Sequence, residues 1–332
     1  MNAAIPKAAV AAPTLGFRLL NEFQRDFPLV PTPFAEIARR LGSDEPEVLA
    51  SLQAFQREGS ISRVGAIFAP RSVGASTLAA LAVPPGQLEQ VAALVSQHAG
   101  VNHNYQREHR FNLWFVATAA DQQSLDDLLS TIGGETGFIP IALPLLEEYH
   151  IDLGFDLVHG GKRQVAARLC HQYETSVADR RLIAALQTGL PLVAQPFAQL
   201  AAQVDMSESA VLERLAKWLD EGCIKRFGVV VRHHELGFRA NAMVVFDVPD
   251  DVVTTVGQRL AREAGVTLCY RRQRHLPHWR QNLFCMVHGR SRAEVEPIIQ
   301  RLCRVAGYPC TALFSLRRFK QCGAKYFDST MQ

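Results

Sequence analysis

No stretch of this 332-residue chain approaches the roughly 18 consecutive apolar residues that a membrane-spanning helix needs. A surplus of one charge is missing too: 35 Lys and Arg stand against 32 Asp and Glu, a formal net charge of +3. That falls short of the strongly basic balance of a dedicated nucleic-acid binder. The seven cysteines (Cys170, Cys223, Cys269, Cys285, Cys303, Cys310 and Cys322) all lie in the second half, and none forms a CxxC pair. This argues against a disulfide framework, a zinc ribbon and an iron–sulfur cluster, and makes reduced thiols and a cytoplasmic location the expectation. There is no GxGxxG after a strand, no P-loop and no HExxH, which removes the common nucleotide cradles and the zinc-protease helix. The opening MNAAIPKAAVAAPTLG has one Lys and no compact apolar block. It predicts a disordered tail over 1–16 rather than a signal peptide.

The chain instead contains itself twice. Residues 29–37 read LVPTPFAEI and residues 192–200 read LVAQPFAQL, identical at five of nine positions at a shift of 163. The same shift carries Ile61, Arg63 and Gly65 onto Ile224, Arg226 and Gly228. At 165, Val83-Pro84 falls on Val248-Pro249 and Tyr105 on Tyr270; at 170, Asn112-Leu113 falls on Asn282-Leu283. A slowly drifting shift is what loop insertions produce in a tandem duplication, and the period is far too long for a solenoid.

Each copy opens with three short helical patterns and an alternating strand, as in a winged helix-turn-helix. They cover 17–27, 34–41 and 45–58 with the strand ISRVGAIFAP, then 181–187, 196–204 and 207–221 with CIKRFGVVV. The rest of each copy reads β-α-β-β-α-β, with strands over 76–83, 101–105, 112–118 and 139–145, then 240–248, 266–273, 281–288 and 311–316. The helices between them are expected over 87–97, 124–132, 251–263 and 292–305. The fold class is therefore α+β: a tandem duplication, each copy a winged helix-turn-helix followed by a ferredoxin-like βαββαβ domain. The boundaries read 1–16 tail, 17–70 first winged helix, 71–155 first βαββαβ domain, 156–179 linker, 180–233 second winged helix and 234–330 second βαββαβ domain.

The helices that would enter a DNA groove are acidic. The first carries Glu45, Glu47 and Glu58 against Arg57, and the second Glu208, Glu213, Asp220 and Glu221 against Arg214 and Lys217. Negative charge facing phosphates opposes counterion-driven affinity, so DNA is not the expected partner.

The polar chemistry concentrates in one hairpin per copy. VNHNYQREHRFNLWF (101–115) gathers His103, Tyr105, Arg107, His109 and Arg110. Its counterpart VTLCYRRQRHLPHWRQNLFCM (266–286) gathers Arg271, Arg272, Arg274, His275, His278, Trp279 and Arg280, with Arg290 beyond. A merely solvated hairpin would be richer in Lys and Glu. Arginine forks suit several carboxylates or phosphates, imidazoles move protons near neutrality or bind metal, and Tyr and Trp offer flat faces. A large, flat polyanion would use all three. His98, His150, His159, His171 and His233-His234 are weaker candidates, and the tail RRFKQCGAKYF either lines the ligand cavity or frays.

On these motifs the chain resembles the Lrp/AsnC family of regulators. HNYQREHRFNLWF, YRRQRHLPHWRQNLFCMVHG, IDLGFDL and FKQCGAKYF resemble a narrower branch, the sirohaem decarboxylases of haem d1 biosynthesis. In that branch a D-type and an L-type subunit pair, and this chain is similar to a fused form, D-like first. The resemblance implies loss of two acetate carboxyls from sirohaem to give didecarboxysirohaem. For that reaction His103 and His109 are the leading catalytic candidates on the first-copy hairpin, one donating a proton and one near the iron or a reacting acetate. Tyr105, Arg107, Arg110, Arg271, Arg272, Arg274, His275, His278 and Trp279 would then hold substrate. No intrinsic cofactor or metal is implied: iron enters as part of the tetrapyrrole, with His103 or His109 as its possible ligand. The two copies are expected to pair as an internal pseudo-dimer, with or without a further homodimer, and without membrane or DNA. Two rival readings share the pocket: a regulator sensing a tetrapyrrole or amino acid, and a non-catalytic tetrapyrrole carrier.

Overall fold

The computed structural model describes residues 14–70, 72–151, 173–232 and 240–327. The first copy runs α1 (Leu15–Glu22), α2 (Pro33–Leu41), α3 (Glu45–Glu58), β1 (Ile61–Phe68), β2 (Ala75–Leu81), α4 (Leu88–Gln97), β3 (Val101–Arg107), β4 (Leu113–Ala119), α5 (Gln122–Thr136) and β5 (Ile141–Ile151). The second repeats the order as α6 (Val177–Gln187), α7 (Pro196–Gln203), α8 (Glu208–Asp220), β6 (Ile224–Val231), β7 (Ala240–Phe246), α9 (Val253–Ala261), β8 (Val266–Arg272), β9 (Leu283–Gly289), α10 (Arg292–Ala306) and β10 (Cys310–Gln321). Local chemistry sets the helix ends. Asp44 and Ser207 cap α3 and α8 through the N–H groups of Glu47 and Ala210, and α2 and α7 begin on Pro33 and Pro196.

The two winged helices share one core. Leu19, Phe34, Ile37, Leu52 and Val64 pack in the same cluster as Leu182, Phe197, Leu215, Trp218 and Phe227. Their wings, β1 and β6, pair antiparallel with Gly65 opposite Gly228. Gly228 sits at φ 157°, and a Cβ there would lie 2.3 Å from the Phe23 carbonyl oxygen. That clash makes glycine obligatory where β6 passes under the end of α1. The wings are thus spent on each other.

The two βαββαβ sheets close into one eight-stranded barrel in the order β10-β3-β4-β2-β5-β8-β9-β7. The last strand of each copy joins the halves. β5 pairs first with β2 and then, from Leu145 to Ile151, with β8 of the other copy. β10 pairs first with β7 and then, from Ser315 to Gln321, with β3. Both strands therefore run past the 145 and 316 limits read from sequence, because the added halves, LEEYHI and RRFKQ, belong to a sheet built by the partner copy. Four helices cover the outside: α4 and α5 over a core of Leu81, Val91, Leu113 and Phe115, and α9 and α10 over Val244, Leu260, Cys285 and Leu302. The internal pseudo-dimer is a single closed sheet.

The repeated Asn and Val-Pro pairs are clamps. Asn112 accepts from the Val83 N–H at 3.0 Å and donates to its carbonyl at 2.8 Å. Asn282 does the same to Val248 at 3.0 and 2.9 Å. Each tethers the start of a strand to the loop beside it, which explains their persistence in both copies.

One expectation needs correction. Cys303 and Cys310 form a disulfide, since the turn from α10 into β10 brings their Cα atoms to 5.8 Å. Among the described residues it is one short link and not a framework; Cys223, Cys269, Cys285 and Cys322 are not in disulfides. His159, His171, His233, His234, Cys170 and most of IDLGFDL lie outside the described residues. Among the described residues no helix is long and apolar enough to cross a membrane.

Candidate functional site

Strand alternation decides which hairpin residues face the barrel interior. On β3, His103, Tyr105 and Arg107 point inward, while Asn104 points outward and donates to Ala92 O (3.1 Å) and Ser96 Oγ (3.0 Å) on α4. On β8, Leu268, Tyr270 and Arg272 face the interior at the corresponding positions. The interior is apolar at one end and hollow at the other. The hollow is a cavity of about 510 Å³ walled by both barrel halves and roofed by the paired wings. The wings contribute Arg63 from β1, Arg226 from β6 and Arg232 just beyond it. Five arginines (Arg63, Arg107, Arg226, Arg232 and Arg272) and two histidines (His103 and His288) line the cavity, and among the described residues no Asp or Glu does.

Among the described residues, four of the arginines donate to neutral groups. Arg107 donates to Leu313 O at 3.1 Å and Asn241 Oδ1 at 3.4 Å, with its guanidinium 5.7 Å from the centre of the Tyr105 ring. Arg272 donates to Leu143 O at 2.8 Å and lies 4.7 Å from the centre of the Tyr270 ring. Arg226 donates to Gln24 O and Val229 O, and Arg63 to Ala66 O. Burial lowers the pKa of Arg63, Arg107 and Arg272. Nε of Arg63 and of Arg272 finds no acceptor among the described residues. Buried positive charge with no carboxylate beside it among the described residues is costly, so these groups suit an anionic ligand.

His103 is ringed by protein yet keeps part of its surface open to the cavity. Its Nδ1 lies 3.4 Å from the Tyr105 hydroxyl. Burial, with the nearby Arg318 charge second, pushes its pKa down to about 4, so the free protein holds it neutral at pH 7. The linkage has a definite sign. Between the unfolded value of 6.5 and about 4, only the unfolded chain takes up this proton, so stability is lost as pH falls across that window. His103→Leu, which installs the residue found at the matching position 268, should flatten this acid-side loss by on the order of 3 kcal/mol. Urea unfolding at about pH 7.5 and about pH 4.5 reads it; an unchanged pH dependence in the variant contradicts it.

The other predicted residues separate from this group. His109 and Trp279 meet each other at the opposite, closed end of the barrel, ring centroids 5.3 Å apart. Trp279 is 2% exposed, meets Phe111 and Trp114 edge to face and stacks on Phe284. His109 Nδ1 accepts from the Phe111 N–H at 3.0 Å. His109 is therefore behind an aromatic layer and does not line the cavity. Arg110 is exposed against the Phe111 ring. Arg271 and Arg274 point out of the barrel and are neutralised there, Arg271 by Glu147 (2.7 Å) and Asp250 (3.0 Å), Arg274 by Asp247 (2.7 Å) and Asp250 (2.8 Å). His275 and His278 stack on the hairpin at 6.3 Å, away from the cavity. Of the eleven candidates, His103, Tyr105, Arg107 and Arg272 reach the cavity wall.

The tail does line the cavity. Gln321, Cys322, Gly323, Ala324 and Tyr326 cross its mouth. Cys322 N–H donates to Asn102 O (2.8 Å), Thr118 Oγ1 to Lys325 O (2.9 Å), and Gln187 of α6 bonds the backbone of Tyr326 and Phe327. Burial raises the Tyr326 hydroxyl pKa to about 12. The wing arginines and His288 escaped sequence reading. Arg63 and Arg226 carried a signal, since they match at the 163 shift, but only the wing pairing turns them toward the barrel.

Known proteins align with this architecture. A family model described as the siroheme decarboxylase NirDL-like HTH domain matches residues 17–61 and 179–224. One described as the AsnC-like ligand binding domain matches residues 72–150 and 235–320. The chain is 45% identical over 314 residues to the siroheme decarboxylase NirDL subunit of Paracoccus pantotrophus, across 93% of this chain and 96% of that one. It superposes on a crystal structure of the siroheme decarboxylase NirDL with a TM-score of 0.71 at 29% identity, covering 94% of each chain. A co-complex of such an enzyme with an iron-uroporphyrin III analogue gives a TM-score of 0.69 at 30% identity, covering 92% of each. With helix-turn-helix and ligand-binding units both matched twice, and a relative of this identity covered almost end to end, the chain belongs to the siroheme decarboxylase NirDL family.

Proposed function

We propose that this chain is a carboxy-lyase that removes two acetate carboxyl groups from sirohaem, giving didecarboxysirohaem on the route to haem d1. The observation that carries the reading is the cavity wall: five arginines, two histidines and, among the described residues, no carboxylate. Sirohaem brings eight carboxylates on a flat ring. Arg63, Arg107, Arg226, Arg232 and Arg272 neutralise and orient those that stay, and Tyr105 and Tyr270 lie against its faces.

Each cleavage breaks the bond between a pyrrole-bound CH2 and its carboxylate. The bond's electron pair stays on carbon, carbon dioxide leaves, and one proton converts CH2 to methyl. His103 is the proton donor in this scheme. It is neutral in the free protein and gains a proton when the polyanion arrives, because neighbouring carboxylates favour the imidazolium. His109, behind the Trp279 layer, acts as packing at the closed end. Desolvation of the departing carboxylate by Trp114, Val116, Leu268 and Met286 favours its loss as neutral carbon dioxide. The regulator alternative is disfavoured by wings that pair with each other and by the acidic α3 and α8.

Anaerobic incubation with sirohaem followed by mass measurement tests the reading. The expected product has lost two molecules of carbon dioxide; tightly bound sirohaem of unchanged mass would leave a carrier, and absence of binding would remove both.

A further inference from the structure

We infer that Arg232 sets the orientation of the bound tetrapyrrole and so decides which acetate meets His103, a deepening that rests on the tetrapyrrole reading above. The starting point is symmetry. The cavity is walled by two copies of one module, related by an approximate two-fold axis. Gly65 of β1 faces Gly228 of β6, with Val64 opposite Val229 and Ala66 opposite Phe227. The cavity wall obeys the same relation: Arg63 matches Arg226 at the 163 shift, and Tyr105 matches Tyr270 and Arg107 matches Arg272 at the 165 shift. A wall with exact two-fold symmetry holds any ligand equally well in two orientations related by the axis, because turning the ligand is the same operation as exchanging the two halves. Matched pairs therefore supply affinity and no orientation. Preference comes only from positions where the copies differ.

Of the five wall arginines, Arg232 is the one without a match. Its counterpart at the 163 shift is Ala69. Each is the first residue past its wing strand. The backbone is alike at the two places: Arg232 N–H donates to Ser60 O at 2.9 Å and Ala69 N–H to Cys223 O at 2.8 Å, and Ser60 matches Cys223 at the same shift. The side chains are not alike. Ala69 is buried and ends at a methyl, whereas Arg232 brings a guanidinium to the cavity wall. Equal backbones with unequal side chains thus put one extra positive charge at one end of the paired wings. The orientation matters because His103 is also unmatched, with Leu268 at the corresponding position. The two orientations bring different acetates to the imidazole beside Tyr105. Acetate and propionate arms differ in reach by one methylene, and an arginine fork rewards the carboxylate that meets it squarely. The orientation whose carboxylate reaches Arg232 is held, and the acetate it carries to His103 is the one that leaves first.

The test uses the full chain with iron-uroporphyrin III. Titration gives the affinity, and the paramagnetically shifted proton resonances of the ring substituents count the orientations, one set for each. Wild type should show one dominant set. In Arg232→Ala, which makes position 232 the same as Ala69, affinity should fall about tenfold and the minor set should gain about tenfold on the major. The two shifts are one quantity seen twice, since the favoured orientation loses a contact that the other never made. Arg232→Lys keeps the charge without the fork and should fall between; it carries the test if Arg232→Ala does not fold. Two equal sets in wild type, unchanged affinity in the variants, or weaker binding with an unchanged orientation ratio overturns the proposal. With sirohaem, wild type should pass through one monodecarboxylated isomer and Arg232→Ala through two. Failure of the decarboxylase reading looks different: the orientation shift appears with iron-uroporphyrin III while sirohaem is returned with its mass unchanged.

Discussion

His103→Ala is expected to slow carbon dioxide release from sirohaem by about 100-fold or more, the usual contribution of a positioned proton donor, with tetrapyrrole affinity changed only a few-fold. The expectation follows from location. His103 and His288 are the two imidazoles on the cavity wall among the described residues, and His103 is the one beside a phenolic hydroxyl that can relay a proton, at 3.4 Å from Tyr105. Its ordinary charge state is suppressed by burial, so the proton it donates enters with the substrate. Two measurements separate this role from simple packing. Proton uptake on binding a non-reacting iron-uroporphyrin should drop by close to one proton per chain in the variant. The acid limb of the kcat profile should also change, because the group that titrates there is gone. A variant that turns over at the wild-type rate would transfer the proton donation elsewhere in the cavity. His109→Ala serves as the contrast: its ring meets Trp279 edge to face at the closed end, and the expected damage is to stability, with chemistry nearly intact in the folded fraction.

The sequence made the fold legible because its signals are local. Period-3.6 patterns, Pro33 and Pro196 at helix starts, and the repeat itself give both winged helices and both βαββαβ units. Closure of the two sheets into one barrel left no such mark. It depends on the charged far halves of β5 and β10, whose partners lie in the other copy. The site was legible in part for a related reason. Clustering on one hairpin said where polar residues are dense, but side-chain direction changes at every residue of a strand. Arg271 and Arg272 are neighbours, and one is neutralised by Glu147 outside the barrel while the other faces the cavity. The carboxylates that occupy Arg271 and Arg274 come from 147, 247 and 250, distant in sequence from the motif they neutralise. Arg63, Arg226 and Arg232 were hidden by the opposite effect: they belong to a module whose usual role is elsewhere, and only wing pairing aims them at the barrel.

Arg272→Met should move stability and affinity in opposite directions. The half-buried Arg272 guanidinium donates to Leu143 O at 2.8 Å and has Nε without an acceptor among the described residues. Burial already lowers its pKa, the mark of a charge held at a cost. Methionine matches much of its length, keeps contact with the Tyr270 ring and removes the desolvated charge. The variant is expected to be more stable without ligand by about 1–3 kcal/mol, seen as a higher urea midpoint with unchanged slope. The same change strips a charge-assisted partner from one substrate carboxylate, and tetrapyrrole affinity should fall about 30-fold or more. Arg271→Met is the matched control. Its guanidinium bridges Glu147 and Asp250 on the outer surface, so its loss should lower stability slightly and leave tetrapyrrole affinity unchanged. If Arg272→Met lowered both stability and affinity, the guanidinium would be part of the barrel's own framework. If it raised stability with affinity intact, no carboxylate would reach it. Opposed shifts at 272 and not at 271 are the signature of a cavity whose charge is balanced only when its polyanion is inside.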